Sequence, residues 1–334
     1  MKQVWLNLPV WVKDFVTESL ESGVDAVLTT DELASKVREL GRIPVVSPEN
    51  GDIKVPDDVE IIVIRDKKDE NRAAEALKKK IVVARTTDWN IIPIENLIPQ
   101  AGDRLFVFVA SMEEAKLAAG ILEKGVSGIV MENVDRAAIS MITRYIKDLD
   151  RETFSPSVFE ITSVKNIGMG DRVCVDTCTN LNIGEGMLVG NSSRGMFLVH
   201  AENIENPYVA PRPFRVNAGA VHSYVKIPGD KTKYLGELKS GDPILIADKS
   251  GTTSIANVGR SKIEKRPLLV VSARAHDGTE YSVVLQNAET IRLTGEDGSP
   301  RSVVHLVKGD KVLGYVEGGG RHFGMSVDES IMEK

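Results

Sequence analysis

The sequence is poor in cysteine, in aromatic residues and in long apolar runs. Its two cysteines, Cys174 and Cys178, stand in VCVDTCTN with no histidine nearby. A tetrahedral zinc site takes four such ligands, so this pair does not form one by itself. The spacing favours reduced structural thiols over a redox or metal-binding pair, and we predict no metal ligand set.

Long hydrophobic segments are also missing from the sequence. No apolar run approaches the roughly 18 residues that span a bilayer. The first residues, MKQVWLNLPV, lack the layout of a signal peptide. We therefore expect a cytoplasmic protein with no membrane partner.

Positive charge is scarce as well. Lys and Arg number 42 against 48 Asp and Glu, which gives a net charge of -6, and aromatic residues make up 5% of the chain. The longest basic block is Lys78 to Lys80. These values argue against a nucleic-acid partner and favour a small-molecule one. With 334 residues, 42% of them hydrophobic, the chain has the length of about two domains.

Residues 1–150 alternate apolar runs with helical patterns. The runs are rich in β-branched residues, which is typical of parallel strands covered on both faces. Strands are predicted at 4–8, 25–30, 43–47, 60–64, 81–85, 90–94, 105–110 and 128–132, and helices at 11–22, 31–40, 68–80, 111–125 and 134–149. This order predicts a TIM-barrel-like (βα) domain, although connections 48–58 and 86–89 are too short or irregular for a full helix. An open doubly wound sheet is the alternative.

Residues 151–334 change to short strands and Gly-rich turns, which predicts a β-rich barrel or sandwich domain. A Gly-Asp repeat recurs at Gly170-Asp171, Gly241-Asp242 and Gly309-Asp310, with a fainter copy at Gly184-Glu185. We interpret each copy as a tight turn that leads into an apolar strand. The repeat therefore locates strands and says little about chemistry.

The segment from Arg194 to Lys226 concentrates charge among apolar runs. In an extended run, side chains alternate between faces, so His200 and Glu202 share one face with Met196 and Leu198. An imidazole beside a carboxylate can exchange protons near neutral pH. The alternative is a histidine satisfied inside a sheet with a surface glutamate nearby.

The next residues offer guanidinium groups. Pro211 and Pro213 hold the chain extended around Arg212, and Arg215 and Asn217 share a face of the following segment. Guanidinium groups bind carboxylates at two points, but one arginine could instead tie loops together through an internal acid. His222 is a further candidate acid or base. For Tyr224 and Lys226 we expect a solvated face.

A dinucleotide-binding G-x-G-x-x-G does not follow any predicted strand of the first domain. Three Gly-rich segments could bind phosphate through backbone N–H groups instead: 184–187, 190–195 and 318–324. We prefer segment 190–195 as the phosphate site, because it adds hydroxyls and an arginine to paired glycines. Its predicted cofactor residues are Gly190, Ser192, Ser193 and Gly195.

The carboxyl ends of the predicted barrel strands present polar residues to a cleft. These residues are Asn7, Thr29, Asp31, Arg65, Asp66, Arg85, Glu95 and Glu132. Because the set contains no lysine, it argues against a Schiff-base aldolase in this domain.

Longer motifs carry a family resemblance. They include VDAVLTTDE, WNIIPIENLI, RVCVDTC, LQNAETIRL and GGGRHFGM. The longest is GEGMLVGNSSRGMFLVHAENIENPYVAPRPFRVNAGAVHSYVKIPGDKTKYLGEL. The chain resembles, nearly end to end, the archaeal-type 3-dehydroquinate synthase, which is unrelated to the zinc-dependent bacterial enzyme. At 191–194 the sequence is more charged than we expect for this family.

The resemblance implies an NAD-dependent enzyme of aromatic amino-acid (shikimate) biosynthesis. Its implied substrate is the acidic amino-ketosugar 2-amino-3,7-dideoxy-D-threo-hept-6-ulosonate, which is oxidatively deaminated and then cyclised to 3-dehydroquinate. For that chemistry, residue types suggest His200 as a proton shuttle oriented by Glu202 and His222 as a second acid or base. Arg212 and Arg215 would bind the substrate carboxylate, and Asn217 a hydroxyl or carbonyl.

Two other functions remain open from the sequence. One is an amino-acid-type dehydrogenase that stops before cyclisation. The other is a non-enzymatic, RNA-binding β-barrel protein, which the acidic balance disfavours. The sequence leaves the oligomeric state open and allows a homo-oligomer.

Overall fold

The computed structural model describes residues 2–86, 91–122, 124–149, 151–205, 209–317, 320–322 and 325–327. The chain divides into two compact units, Met1–Asp150 and Arg151–Lys334. Within the described residues, no helix is both long enough and apolar enough to cross a bilayer.

The first unit is a nearly closed parallel barrel. Its described strands are β1 (Gln3–Leu8), β2 (Ala26–Thr29), β3 (Val45–Ser47), β4 (Ile53–Lys54), β5 (Val59–Ile64), β6 (Ile81–Thr86), β7 (Leu105–Val109) and β8 (Gly128–Met131). The first strand lies between the second and the last, and β4 and β5 are the two ends of the ring. This order is that of a TIM-like barrel, so the predicted fold class is confirmed.

Helices cover the outside of this barrel. They are α1 (Lys13–Ser22), α2 (Asp31–Leu40), α3 (Lys67–Ala76), α4 (Ile91–Ala101), α5 (Met112–Gly120) and α6 (Arg136–Leu149). Strand side chains alternate between two cores: Val4 and Leu6 pack with helix residues, whereas Trp5 packs with Phe106 in a cluster made of strand residues. The rings of Trp5 and Phe106 lie 4.5 Å apart.

One predicted strand of this unit is wrong. Residues 91–94 form the first turn of α4. The strand that brings the total to eight is instead the short β4, which lies inside the irregular connection 48–58. The apolar residues Ile94, Leu97, Ile98 and Ala101 recur at helical spacing and are buried. Pro93 is tolerated because a helix leaves the N–H groups of its first turn without partners inside the helix.

The second unit is an antiparallel, strand-rich domain. Its described strands are β9 (Ser157–Thr177), β10 (Gly186–Gly190), β11 (Gly195–His200), β12 (Arg215–Ala220), β13 (Tyr224–Ile227), β14 (Lys231–Tyr234), β15 (Pro243–Ala247), β16 (Thr253–Arg274), β17 (Glu280–Gln286), β18 (Arg292–Thr294), β19 (Pro300–Ser302), β20 (Lys311–Val316), β21 (Gly320–His322) and β22 (Met325–Val327). A 3-10 turn follows β14.

Strand pairing in this unit closes on itself. The sequence of neighbours runs β11, β20, β9, β16, β15, β10 and back to β11, and every pair is antiparallel. Phe197 and Val199 point into the main core of this ring, whereas Met196 and Leu198 pack in a second cluster. The predicted alternation along β11 is therefore confirmed, and the ring corresponds to the barrel alternative rather than to two separate sheets.

Three of the four Gly-acid repeats form the predicted turns. Gly184, Gly241 and Gly309 have φ of 92°, 92° and 94°, in the left-handed region that glycine adopts at low cost. The acid that follows each glycine accepts the N–H of the residue three positions earlier, in the pairs Asn182–Glu185, Lys239–Asp242 and Val307–Asp310. The turn predicted at Gly170-Asp171 is wrong, because these two residues lie inside the continuous strand β9.

Candidate active site

His200 ends β11 with both ring nitrogens bonded to the backbone. Nε2 accepts a hydrogen bond from the N–H of Gly184 at 2.9 Å, and Nδ1 donates to the carbonyl of Ala201 at 2.7 Å. Burial lowers the pKa of His200 from its ordinary value. The prediction that Glu202 orients this ring is wrong, because backbone groups hold it. These contacts match the alternative of a histidine satisfied inside a sheet.

Polar side chains gather on one face of three neighbouring strands, with β9 in the middle. The register places Arg215 and Arg260 on either side of Asp176, and Asn217 and Lys262 on either side of Cys174. Glu264 lies opposite Arg172. We call this set, Arg172, Cys174, Asp176, Arg215, Asn217, Arg260, Lys262 and Glu264, the polar face. Valines 173 and 175 point the other way, into the core.

Asp176 is the centre of charge on the polar face. Arg215 Nε donates to Asp176 Oδ1 at 2.6 Å and Nη2 donates to Oδ2 at 2.9 Å, while Arg260 binds Oδ2 from the other side. Burial alone would raise the pKa of Asp176, but the hydrogen bonds from the two arginines outweigh it and lower the pKa. The guanidinium of Arg215 is thus bound by an internal acid, which is the alternative to substrate binding that the sequence left open.

Four predicted site residues do come together here. Asn217 Nδ2 lies 3.5 Å from Glu202 Oε1 and 2.9 Å from Gln286 Oε1. Glu202 Oε2 lies 3.8 Å from Arg212 Nη1, and Arg215 is next but one to Asn217 on the same face. Arg212 is half exposed. Of the two arginines, it is the one whose head group can reach a ligand.

Sequence reasoning missed Arg172 and Asp176, although they alternate with Cys174 along β9. Arg172 Nη2 donates to Glu264 Oε2 at 2.8 Å, and Nη1 contacts the Cys174 sulfur. Burial raises the pKa of Cys174 to about 11, so its thiol stays protonated at neutral pH. Both cysteines are free. The period-two pattern Arg-x-Cys-x-Asp was the available signal.

His222 lies apart from buried His200. It is exposed, in the turn between β12 and β13. It is therefore not enclosed in a cavity with His200. Its catalytic role stays a prediction.

The predicted cofactor loop is the hairpin turn between β10 and β11. Its glycines are required by packing: a Cβ on Gly190 would lie 2.4 Å from the Gly195 carbonyl oxygen, and one on Gly195 would lie 2.1 Å from the Tyr281 ring. The N–H of Asn191 donates to the carbonyl of Ser282, and the N–H of Arg194 to the Ser192 hydroxyl. Ser193 is buried. These contacts explain the loop without a phosphate.

Arg194 gives this loop one feature that suits an anion. Its Nε is buried and, within the described chain, has no hydrogen-bond partner. A phosphate oxygen is the kind of acceptor that satisfies such a donor. The loop therefore fits a phosphate-bearing cofactor such as NAD through Arg194 rather than through the glycines. The alternative segment 318–324 lies largely outside the described residues.

One cavity of the second unit that combines apolar walls with a buried cation was not predicted. It is a cavity of about 410 Å³ lined by Glu152, Thr153, Phe154, Leu188, Lys226, Gly229, Asp230, Leu245, Thr253 and Tyr315. Its volume is within the range of small-molecule sites, about 300 to 1,000 Å³. Apolar and aromatic walls surround a few polar groups, which is the usual composition of a ligand site.

Lys226 is the cation of this cavity, and the prediction that it faces solvent is wrong. Its side chain is 5% exposed; Nζ binds Asp230 Oδ1 and lies 3.6 Å from Glu317 Oε2 and 5.0 Å from the centre of the Tyr315 ring. Tyr224, on the same strand, is half-buried and stacks on Tyr234. The hairpin loop borders this region, because the Glu317 N–H donates to the Arg194 carbonyl.

The barrel unit has a smaller candidate site at the carboxyl ends of its strands. A cavity of about 210 Å³ is lined by residues that include Arg85, Phe108 and Glu132. Arg85 Nη2 donates to Glu132 Oε2 at 2.6 Å, and Asn7 Nδ2 lies 3.5 Å from the same oxygen. Asp31 and Asp66 have structural tasks, since Asp31 holds the 47–50 loop and Asp66 caps α3. The prediction that Glu95 follows a barrel strand is wrong, because it lies in α4.

No three His, Cys, Asp or Glu side chains within the described residues group closely enough to hold a metal ion.

Comparison with known proteins covers nearly the whole chain. Residues 1–146 match the family model for the 3-dehydroquinate synthase II N-terminal domain, and residues 158–334 match that for the C-terminal domain. The chain is 50% identical over 338 residues to the 3-dehydroquinate synthase of Methanoregula boonei, with all of both chains covered. It is 48% identical over 339 residues to the 3-dehydroquinate synthase homolog of Aquifex aeolicus, again with full coverage of both. The chain belongs to the 3-dehydroquinate synthase II family of enzymes.

Proposed function

We propose that this enzyme makes 3-dehydroquinate by NAD+-dependent oxidative deamination of 2-amino-3,7-dideoxy-D-threo-hept-6-ulosonate, followed by cyclisation. The observation that carries the proposal is the full-length identity of about half to 3-dehydroquinate synthases. The cavity around Lys226 supports it, since an amino-ketone substrate needs a cation and proton-transfer groups in one cavity. A cytoplasmic location and a small acidic substrate are parts of the same proposal.

The reaction has two balanced halves. In the first, C2 of the substrate loses a hydride and the resulting iminium is hydrolysed, so that water supplies the C2 carbonyl oxygen and ammonia leaves. In the second, C7 loses a proton and bonds to C2, and the C2 oxygen takes up a proton. The second half is an isomerisation and needs no further reactant.

The residues of the cavity meet the demands of both halves. NAD+, when bound, supplies the hydride acceptor. The Lys226 side chain can bind the C6 carbonyl group, and Asp230 Oδ1, which accepts a hydrogen bond from Lys226 Nζ, can hold a proton taken from the substrate. Phe154, Leu188 and Leu245 supply the apolar wall beside these groups. Proton transfer by a positioned group typically contributes about 100- to 10,000-fold to a rate.

The test is a direct assay of the purified protein with this substrate. We expect NADH to appear together with ammonia and 3-dehydroquinate, identified by mass and NMR. An open diketone as the sole product would support a dehydrogenase without cyclisation. Absence of NADH formation, with binding of RNA instead, would overturn the proposal.

A pair of matched variants tests the place of the site. Asp230→Asn removes a carboxylate that pairs with a lysine four residues away and is 58% exposed; Asp297→Asn removes one that pairs with an arginine four residues away and is 59% exposed. We expect turnover to fall about 100-fold or more in the first variant and to stay near that of the wild type in the second. Equal activities would place the chemistry elsewhere.

A further inference from the structure

We propose that Lys226 forms a Schiff base with the C6 ketone of the substrate and catalyses cyclisation through the enamine. This inference rests on the proposed function, since it takes the amino-ketone as the substrate. It assigns a covalent role to a residue whose sequence pattern indicated only a solvated surface.

The position of Lys226 is suited to a nucleophile. β13 pairs with β10 on one side and with β14 on the other, which fixes the backbone under the side chain. The side chain is 5% exposed and lines the cavity with Phe154 and Tyr315. The apolar wall on one side of the amine limits the access of water to an imine, and a lysine held beside such a wall is a recurrent Schiff-base nucleophile.

The surroundings of Nζ can take its proton. A Schiff base forms only from the neutral amine, so a nearby base must accept a proton first. Asp230 Oδ1 accepts a hydrogen bond from Nζ, and Glu317 Oε2 lies at 3.6 Å. Asp230 can take the Nζ proton as the amine attacks, and Glu317 provides a second carboxylate for the proton that leaves C7.

The nearby lysine on β14 lacks this combination. Among the described residues that line the cavity, Lys226 is the one primary amine. Lys233, on the adjacent strand β14, also pairs with an aspartate, Asp242 at 2.9 Å, but its side chain is 37% exposed. Lys233 therefore serves as a matched control for a lysine in an ion pair outside the cavity.

The chemistry balances without an added reactant. Nζ attacks C6, and the C6 oxygen leaves as water to give an iminium. The iminium acidifies C7, which loses a proton to a carboxylate and becomes the nucleophilic carbon of an enamine. C7 then bonds to C2, the C2 oxygen takes up the proton, and water hydrolyses the ring iminium and frees Lys226. One water is released and one is consumed.

This route makes a prediction that is independent of the oxidation. The C6 ketone is present before any hydride leaves C2, so the imine and enamine form without NAD+. In D2O, the wild-type enzyme with substrate alone should exchange the C7 methyl protons for deuterium, as followed by NMR. Borohydride should reduce the imine to a stable adduct on the peptide that contains Lys226, as located by mass spectrometry.

Two variants test the assignment. Lys226→Arg keeps a cation between the two carboxylates but cannot form an imine, so we expect loss of both the adduct and the enzyme-catalysed exchange with the melting temperature near that of the wild type. Lys233→Arg should retain both signals. If Lys226→Arg does not fold, the position of the adduct in the wild-type protein decides the question.

The outcomes separate this inference from the proposed function. A wild-type enzyme that makes NADH and 3-dehydroquinate but shows neither adduct nor exchange overturns the Schiff base and leaves the function intact. An adduct on another lysine also overturns it. Absence of NADH formation from the substrate with NAD+ overturns the proposed function itself.

Discussion

Arg215 and Asp176 form a two-point ion pair across directly paired positions of β12 and β9, with N–O distances of 2.6 and 2.9 Å. Their side chains are 12% and 7% exposed. A planar guanidinium matches a carboxylate in this geometry. Because both groups are largely buried, each depends on the other for the hydrogen bonds that water would otherwise provide.

Removal of the carboxylate should therefore destabilise the second unit. We expect Asp176→Asn to lower the free energy of unfolding by about 3 kcal/mol, because the Arg215 cation is then buried without a counter-charge. Arg260→Ala should cost at most about 1 kcal/mol, because that arginine is 62% exposed. Urea denaturation measures both values. Equal losses in the two variants would contradict the central place of the Arg215 pair.

The Asp176 carboxylate should also make the free energy of unfolding depend on pH in the acid range. The pKa of Asp176 is lowered in the folded protein from its ordinary value of 3.8, because the hydrogen bonds from Arg215 and Arg260 outweigh the effect of burial. A lowered carboxylate pKa contributes stability above the unfolded pKa, and that stability is lost as the pH falls through the folded pKa. Melting temperatures measured downward from pH 5 should fall less steeply in Asp176→Asn than in the wild type.

Much of the fold can be predicted from local patterns, and the exceptions have physical causes. The β-branched runs located seven of the eight barrel strands, whereas the run at 91–94 was ambiguous: a short apolar run has no period of its own, and only the buried Leu97 and Ile98 further along show the helix. In the second unit, the turns at Gly241 and Gly309 follow from a left-handed backbone that glycine favours.

The candidate site was less predictable because burial is a long-range property. Lys226 alternates with Val225 and Ile227 as on any one-sided strand, so the sequence indicates a polar outer face. What encloses Lys226 is remote along the chain: Phe154 more than seventy residues before it and Tyr315 nearly ninety after it. The chemistry of Arg215 was recognised, but its partner Asp176 is likewise set by strand pairing rather than by spacing.

His200 should be neutral and structural. Since the Gly184 N–H needs an acceptor and the Ala201 carbonyl needs a donor, the proton lies on Nδ1. The lowered pKa means that the unfolded chain binds a proton more readily, so this group reduces stability as the pH falls below 6.5. Nitrogen-15 NMR at pH 6.5 should show the neutral Nδ1–H form. An imidazolium signal from His200 at that pH would contradict the buried arrangement.

Thiol reactivity should distinguish the two cysteines. Cys178 is exposed and Cys174 is buried, with a pKa raised to about 11. Since the thiolate is the reactive form, iodoacetamide at neutral pH should modify Cys178 in the native protein and Cys174 only after unfolding. Peptide mass spectrometry reads both sites. Rapid native modification of Cys174 would show that the polar face opens in solution.

Substitution of the hairpin glycines separates packing from cofactor binding. Gly190→Ala places a methyl group 2.4 Å from the carbonyl oxygen of Gly195, and backbone cannot move aside as a flexible side chain can, so we expect a loss of about 1 to 3 kcal/mol in unfolding free energy. Gly120→Ala, at the end of α5 with open space around its Cα, should be neutral or stabilising by up to about 1 kcal/mol.

If Gly190→Ala keeps its stability but loses affinity for NAD+ in calorimetric titration, the glycine serves the cofactor and the packing explanation is wrong. If stability falls while the folded fraction still binds NAD+ as the wild type does, the loop glycines are structural. Arg194 then remains the candidate contact of this loop with a phosphate of NAD+.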